Sequence, residues 1–468
     1  MLGNQPSNRK KVCVQGLGFV GSAMAIAIAN ASSDKGERLY DVTGVDLPTV
    51  EGNRRVAAIS KGELPFANSD DLLKDALKKA FQAGNISATT NPDVYKEADV
   101  IIVDINLDID YQPGGPTVPL DGFKNAVRTV GDLVKPGALV IVETTVPPGT
   151  CEKVVVPVLD EALAERGLPK GCVHVAHSYE RVMPGKDYLA SIIHYWRVYA
   201  GVNEEAGNHC EEFLSTIINT KDYPMTRLHS TTASETSKVL ENSYRAATIA
   251  FMEEWGRFAE AVGIDLFQVI NAIRVRPTHS NMRQPGFGVG GYCLTKDPLF
   301  AQIAAKEYFG LSDVDFAFCK RAVEVNKEMP LVSVGKLNDY FQGDLKGKKI
   351  ALFGVSYRQD VGDTRYSPSE TFVKALQQKG ARVDCHDPLV DYWHDLNRPI
   401  EQELHADRYD AAVFAVGHKE YKEMNVRQWL GEHTLLILDA NDVLTDQQRS
   451  EFRAEGCHVV SIGRGELL

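Results

Sequence analysis

Lys11-Val12-Cys13-Val14-Gln15-Gly16-Leu17-Gly18-Phe19-Val20-Gly21 runs from a short apolar strand into a G-x-G-x-x-G turn, and Ser22 to Asn30 (SAMAIAIAN) continues as a helix of small residues. In this strand–turn–helix setting the glycines let the backbone come close to a pyrophosphate lying over the helix N-terminus, so the stretch predicts a dinucleotide-binding unit. A second strand, Tyr40-Asp41-Val42-Thr43-Gly44-Val45, ends in Asp46. A carboxylate there hydrogen-bonds the adenine ribose hydroxyls and repels a 2′-phosphate, which favours NAD over NADP. Gly18 and Asp46 stand farther apart than the usual spacing of about 20 residues, and the polar segment Ser32 to Arg38 reads as an insertion that explains it. Gly16, Gly18, Phe19, Val20, Gly21 and Asp46 are therefore the candidate cofactor residues.

Working outward, apolar strands alternate with helical patterns from Lys10 to about Asn219, and Val100 to Val103 (VIIV) and Ala138 to Val142 (ALVIV) are runs expected of parallel strands covered on both faces. From about Ser230 to Val262 the chain is helix-forming over many turns, with no proline and no glycine before Gly256. Ile350-Ala351-Leu352-Phe353-Gly354-Val355 then repeats the strand-into-glycine form, followed by Gly380 to Pro388 and the run Ala411 to Val416. The expected fold is α/β: two doubly wound Rossmann-like domains joined by a central helical region with a long helix. The expected domains are 1–219, 220–335 and 336–468. The last lacks a full G-x-G-x-x-G and is expected to hold something other than the dinucleotide.

A chain of 468 residues is long for one core, and 44% hydrophobic with 24% charged residues is an ordinary globular composition. A net charge of −12 argues against a nucleic-acid surface, which needs clustered Lys and Arg. The eight cysteines are scattered without C-x-x-C pairs, so neither a disulfide framework nor a metal site is expected from them and a reducing cytoplasm fits best. The polar opening segment has no apolar run of a signal peptide or membrane span.

Gly286-Phe287-Gly288-Val289-Gly290-Gly291-Tyr292-Cys293-Leu294-Thr295-Lys296-Asp297 places one thiol behind a glycine-rich loop, with a lysine and a carboxylate just after it. A thiolate stabilised by a nearby cation or by backbone N–H groups is a nucleophile, whereas the bland reading is an inert core cysteine. Asp297 is a candidate to act on water. Preceding Pro298 and an apolar run, it also fits a helix N-cap.

Together the motifs resemble the UDP-glucose/GDP-mannose dehydrogenase family, the nucleotide-sugar 6-dehydrogenases. Those motifs are Gly16-x-Gly18-x-x-Gly21, Thr144 to Thr150 (TTVPPGT), Glu180 to Gly185 (ERVMPG), Lys238 with Asn242, the Cys293 loop, and Gly354 to Asp360 (GVSYRQD) leading to Asp363-Thr364-Arg365. The resemblance covers nearly the whole chain in the family's order. It implies an N-terminal NAD domain, a central helical dimerisation region, a C-terminal domain for the sugar nucleotide, and a homodimer or higher homo-oligomer. The implied reaction oxidises the sugar's primary alcohol to a carboxylate with two NAD, the aldehyde stage being held on Cys293 as a thiohemiacetal and then a thioester.

The resemblance further gives Lys238 an oxyanion-stabilising role with Asn242 beside it, and Glu180 and Thr145 the positioning of water or its proton, Thr145 also lying against the cofactor. It implies substrate contacts from Glu180, Arg181, Lys238, Asn242, Gly290, Arg358 and Arg365. Arg283 and Arg276 are both candidates for an arginine that reaches the sugar. Three departures stand out: Asp104-Ile105-Asn106-Leu107-Asp108 in place of an apolar turn, Tyr179 where a proline is usual, and Arg358 where a lysine is usual. Arg181 and the Asn281-Met282-Arg283-x-Pro285-Gly286 run look most like the UDP-N-acetylhexosamine branch, with UDP-glucose or GDP-mannose as the alternative substrates. A two-electron β-hydroxyacid dehydrogenase leaves Cys293 and the third domain without a job, and a silent NAD-binding scaffold does not need Cys293, Lys238 and Asp297.

Overall fold

The computed structural model describes residues 9–66, 70–112, 115–182, 185 and 187–465. It forms two compact units, Met1–Leu240 with Leu299–Asp315, and Glu241–Pro298 with Phe316–Leu468.

The strands of the first unit are β1 (Lys10–Gln15), β2 (Tyr40–Val45), β3 (Ile86–Thr89), β4 (Val100–Val103), a hairpin of β5 (Asp110–Gln112) and β6 (Gly115–Thr117), β7 (Leu139–Val142), β8 (His174–Tyr179), β9 (Val198–Gly201) and β10 (Thr226–Arg227). Its helices are α1 (Phe19–Asn30), α2 (Val50–Ile59), α3 (Asp71–Gln82), α4 (Asp121–Leu133), α5 (Val156–Glu165), α6 (Tyr188–Ile193) and α7 (Glu204–Ser215). Hairpin aside, the strands form one sheet in the order β10-β9-β8-β7-β4-β1-β2-β3. Its pairs are parallel except β8 with β9. The order reverses at β1, which makes the carboxyl ends of β1 and β4 the switch point where doubly wound sheets bind ligands.

Every residue of β4 and β7 is buried, as expected of strands with helices on both faces. One core layer gathers α1, α3 and α6 against the sheet, and the other gathers α4 and α5. From Gly21 to Ala29 all of α1 is buried, so its small side chains serve close packing, not an amphipathic face.

Helix α8 (Thr231–Val262) runs 32 residues, roughly 48 Å at 1.5 Å per residue. It is followed by α9 (Leu266–Arg274), α10 (Asp297–Glu307) and α11 (Ala317–Tyr340). Leu240, Tyr244, Phe251, Trp255, Phe258 and Val262 recur at helical spacing along one face of α8 and are 46% to 64% exposed.

The second unit carries β11 (Lys349–Phe353), α12 (Pro368–Gln378), β12 (Arg382–His386), a short ribbon of β13 (Tyr392–Trp393) and β14 (Arg398–Pro399), β15 (Ala411–Phe414), α13 (Lys419–Lys422), α14 (Val426–Leu430), β16 (Leu436–Asp439), α15 (Asp446–Ala454) and β17 (His458–Ser461). Its five-stranded sheet is parallel throughout, in the order β12-β11-β15-β16-β17. Gly354 leaves β11 at φ +103°. Asp387 accepts the next two backbone N–H groups, Val355 and Ser356, each at 2.9 Å. Burial pushes the Asp387 carboxyl up, but the hydrogen bond and charge of His418 outweigh it and hold the group below its usual range.

Candidate active site

In the first unit the three fingerprint glycines do different work. Gly16 sits at φ +97°, and a Cβ there would stand 2.1 Å from the backbone oxygen of Asp104. A Cβ on Gly21 would stand 2.0 Å from the oxygen of Gly16. At Gly18 a Cβ would meet nothing within 4 Å. Gly18 is also the N-cap of α1 and provides no side-chain cap, so the helix N-terminus opens onto that free space. These residues fit the dinucleotide's pyrophosphate: one glycine for the turn, one for close helix packing, one for ligand approach. Phe19 lies just inside the helix, its ring 4.6 Å from that of Phe66, and Val20 is half-buried beside it.

Asp46 follows β2 as expected, and its carboxylate is anchored. Leu17 N–H donates to Oδ2 at 3.2 Å, Leu47 N–H to Oδ1 at 2.8 Å, and Arg55 on α2 approaches Oδ2 at 3.3 Å. An anion-binding guanidinium thus stands beside the carboxylate read as excluding phosphate.

The Asp104 to Asp108 turn after β4 is fixed by Thr144, whose hydroxyl accepts from Ile105 N–H at 3.0 Å and donates to Ile105 O at 2.9 Å. Asp104 Oδ2 is shut off from solvent without a partner, and burial, then the charges of Glu143 and Glu180, push that carboxyl well above its usual range. Glu143 pairs with Arg197 at 2.6 Å, both buried. Thr145 is half-buried in the next turn. The rest of that turn is held from α8 by Glu235, which sequence reading passed over. Glu235 accepts from Gly149 N–H at 2.5 Å and from Cys151 N–H at 2.8 Å. Burial pushes its carboxyl up to about 7 against those bonds. The signal was its place one turn before Lys238 on α8.

Lys238 is buried, and its ammonium donates to the backbone oxygen of Glu180 at 2.9 Å and to Glu180 Oε1 at 3.5 Å. Glu180 Oε2 takes Val182 N–H. Tyr179, the residue in place of proline, lies fully buried with Lys238 Nζ 5.2 Å from its ring centre. Its hydroxyl accepts from Ser237 at 3.1 Å and from Arg181 at 3.4 Å. The tyrosine is therefore a platform that orients both cations. Arg181 donates to this platform. Met183 and Pro184 of the Glu180 to Gly185 motif lie outside the described residues.

In the second unit Cys293 is the exposed one of the eight cysteines. Five of the others are buried, and burial pushes the thiols of Cys13 and Cys385 up to about 12. The Cys293 turn is held at both ends. Before it, Gly290 and Gly291 are wedged so that a Cβ on either would stand 2.6 to 2.7 Å from Tyr357. After it, the Cys293 oxygen accepts from Lys296 N–H at 3.2 Å and from Asp297 N–H at 2.9 Å.

Asp297 is fully buried at the first position of α10, and its two oxygens are used by a distant partner, Asn242 Nδ2 at 2.8 Å, and by its chain neighbour, Lys296 Nζ at 2.8 Å. Asn242 of α8 and Asp297, named separately from sequence, are thus a bonded pair, and Lys296 is the member the site reading left out. Lys296 Nζ also lies 4.3 Å from the Tyr292 ring centre, and Arg365 5.3 Å from the same centre. Arg365 forms a forked pair with Asp363, at 2.7 Å for its shortest arm. Burial, then the charges of Asp363 and Cys293, push the Tyr357 hydroxyl up to about 12. Arg358 and Arg276 are exposed. Arg283 is exposed next to Arg245 and Arg274, whose charges, after burial, hold it below its usual value.

Family models cover most of the chain: the UDP-glucose/GDP-mannose dehydrogenase family NAD binding domain at residues 10–218, central domain at 232–328 and UDP binding domain at 351–446. The chain is 30% identical to a UDP-N-acetyl-D-mannosamine dehydrogenase of Methanocaldococcus jannaschii, over 98% of this chain and 97% of that one. Its structure is similar to that of a UDP-D-ManNAc dehydrogenase from Pyrococcus horikoshii, with TM-score 0.79, 27% identity and 98% and 100% of the two chains covered. An NDP-N-acetyl-D-galactosaminuronic acid dehydrogenase from Methanosarcina mazei Go1 gives TM-score 0.77, 26% identity, and 98% and 96% coverage.

The Glu235 geometry predicts a pH signature. Its folded carboxyl titrates near 7 and the ordinary group at 4.5, so the native state holds this proton more tightly. The resulting stabilisation is whole below about pH 4.5 and lost as pH rises through 7, up to about 3 kcal/mol. Glu235→Gln, neutral throughout, is expected to be less stable than the parent at pH 5 by roughly 1–3 kcal/mol, because one N–H loses its acceptor. That gap is expected to shrink by pH 8, as read by urea unfolding across the range; a constant gap refutes the assignment.

Proposed function

The chain belongs to the UDP-glucose/GDP-mannose dehydrogenase family and is an NAD-dependent nucleotide-sugar dehydrogenase, and we propose that it oxidises the primary alcohol of a UDP-N-acetylhexosamine to the uronic acid, using Cys293 as a covalent anchor. The observation that carries the covalent reading is the exposed thiol on a turn fixed at both ends. Bound NAD supplies a hydride acceptor at each oxidation, and Gly16, Gly18, Phe19, Val20, Gly21, Asp46 and Thr145 are the residues to hold it. The remaining demands fall on side chains. Cys293 Sγ bonds the aldehyde carbon as a thiohemiacetal, which keeps that carbon on the protein until it reaches the thioester level; water then cleaves the C–S bond, releasing carboxylate and thiol. Lys238 and Asn242 stabilise charge developing on the reacting oxygen, while Glu180, Thr145 and Asp297 position water or its proton.

The N-acetylhexosamine assignment rests on the relatives named above and on Arg181, a guanidinium held on Tyr179 with donors suited to an amide carbonyl or a diphosphate. Arg358, Arg365, Arg283 and Gly290 complete the substrate side. The exposed stripe on α8 supports a homodimer in which a second copy covers it. We read the three domains as 1–219, 220–335 and 336–468, with the reaction in the cytoplasm.

Incubation with NAD and a panel of UDP-N-acetylmannosamine, UDP-N-acetylglucosamine, UDP-N-acetylgalactosamine, UDP-glucose and GDP-mannose is expected to yield two NADH per sugar and the highest kcat/KM on a UDP-N-acetylhexosamine. One NADH with free aldehyde accumulating rules out the covalent route. Cys293→Ala should form no carboxylate yet bind NAD, and Lys238→Ala should lose about 100- to 1,000-fold in kcat.

Asp46→Ala removes a repelling carboxylate and releases Arg55 to meet a 2′-phosphate, so the NAD to NADP ratio of kcat/KM is expected to fall by about tenfold or more. Adding Arg55→Ala should take back the gain on NADP. An unmoved ratio in the first variant places cofactor choice elsewhere.

Trp255→Asp with Phe258→Asp is expected to convert a dimer to monomers by light scattering. A dimer that survives both charges would remove α8 from the interface.

A further inference from the structure

The amino-terminal edge of the eight-stranded sheet is the edge away from the glycine turn. There His174 opens β8 in register with Leu139, the first residue of β7. Strand β9 runs antiparallel to β8, pairing Gly201 with Ala176, and so returns the chain to this same edge before α7 begins. Glu205 and His209 stand four residues apart in the first turns of α7 and share one helix face. One ligand atom each from His174, Glu205 and His209 lies within 4.8 Å of the other two. The two imidazole rings are 4.3 Å apart between centres and tilted by 39°.

We propose that His174, Glu205 and His209 form a binding site for a divalent transition-metal cation of the zinc, cobalt or nickel class, with water completing the coordination. None of the three is a residue assigned to cofactor or substrate, so the site does not rest on the dehydrogenase reading.

Two imidazoles and one carboxylate suit these borderline ions, whereas calcium and magnesium favour all-oxygen sets. Around tetrahedral zinc, bonds of about 2.0–2.1 Å put ligand atoms roughly 3.4 Å apart. Separations bounded by 4.8 Å need only a small side-chain adjustment to reach that, and Glu205 and His209 are both exposed. Helix α7 carries Glu204, Glu205, Glu211 and Glu212 and no lysine or arginine, Glu212 being paired with Lys10 and Glu211 with Arg227. Arg227, beside α7, is engaged by Asn208 at 2.6 Å and by Glu204 O at 2.8 Å. A bound ion would tie α7 to the start of β8 and act on stability, because a ligand that binds only the folded state raises its stability by mass action.

The test uses the full chain, freed of metal by chelator, in a Cys293→Ser background so that the exposed thiol does not bind zinc. Calorimetric titration with zinc chloride is expected to give one zinc per chain with micromolar or tighter Kd, and zinc should raise the melting temperature. Cobalt(II) should develop the intense visible bands of a four-coordinate N/O site. Glu205→Gln and His209→Ala, both at exposed positions, should melt like their parent without metal and bind zinc at least tenfold more weakly. Binding no tighter than millimolar, or zinc affinity unchanged in both variants, overturns the site and leaves the two histidines as a packing pair.

Discussion

The first unit is organised by the approach of three backbone segments at the end of β1. Gly16, Gly21 and Asp104 come so close that a single methyl on either glycine would fall about 2 Å from a carbonyl oxygen. No rotamer change relieves such a clash, since the opposing atoms are backbone. The contact explains the sequence on both sides of it. Helix α1 must lie tight against β1 and β4, and so it is built from Ala, Ser and Gly with a few Ile and Met in the gaps. The same tightness turns the N–H groups of the first α1 turn toward open space at Gly18, where an anion has nothing to displace but water.

The second unit uses a related topology with the opposite outcome at its switch point. Where β1 leaves its helix N-terminus open, β11 leads into a turn already satisfied by the protein's own anion. Asp387 takes two backbone N–H groups and the Ser356 hydroxyl, and His418 closes the cluster at 3.2 Å. A buried carboxylate in this position competes with any phosphate for the same donors. The two sheets of one chain thus differ at their switch points, which agrees with the separate NAD-binding and UDP-binding family matches at residues 10–218 and 351–446.

What the sequence made legible was local or periodic. The glycine turn, the apolar runs of β4 and β7, and the span of α8 each announce themselves within a window of a few turns, because steric and burial constraints act on neighbours. Contacts joining distant positions stayed hidden. Glu235 looks like any helical glutamate until the turn 86 residues earlier comes to rest on it. Asn242 and Asp297 could be named one by one, yet their bond spans 55 residues and recruits Lys296. Arg55 lies close to Asp46 in sequence, but only the return of α2 turns its guanidinium onto that carboxylate. The His174, Glu205 and His209 cluster was equally invisible, since it depends on β9 reversing direction within an otherwise parallel arrangement.

Under the covalent role proposed for Cys293, the thiol faces conflicting demands, since it has to be open to substrate and yet fixed in place. Burial would fix it, but burial raises thiol pKa values, as at Cys13 and Cys385, and weakens the nucleophile. In the second unit the conflict is resolved by ordering the backbone while exposing the side chain. Upstream, Gly290 and Gly291 are locked against Tyr357 and Pro368. Downstream, Asp297 is anchored at zero exposure by an amide and an ammonium, and its own N–H reaches back to the Cys293 oxygen. Burying a lysine–aspartate pair carries a desolvation cost, and removing either partner from such a pair typically destabilises by about 3–5 kcal/mol. That cost is understandable if the pair's task is to hold the turn rather than to add stability: the charges are spent on the position of a cysteine that itself remains exposed.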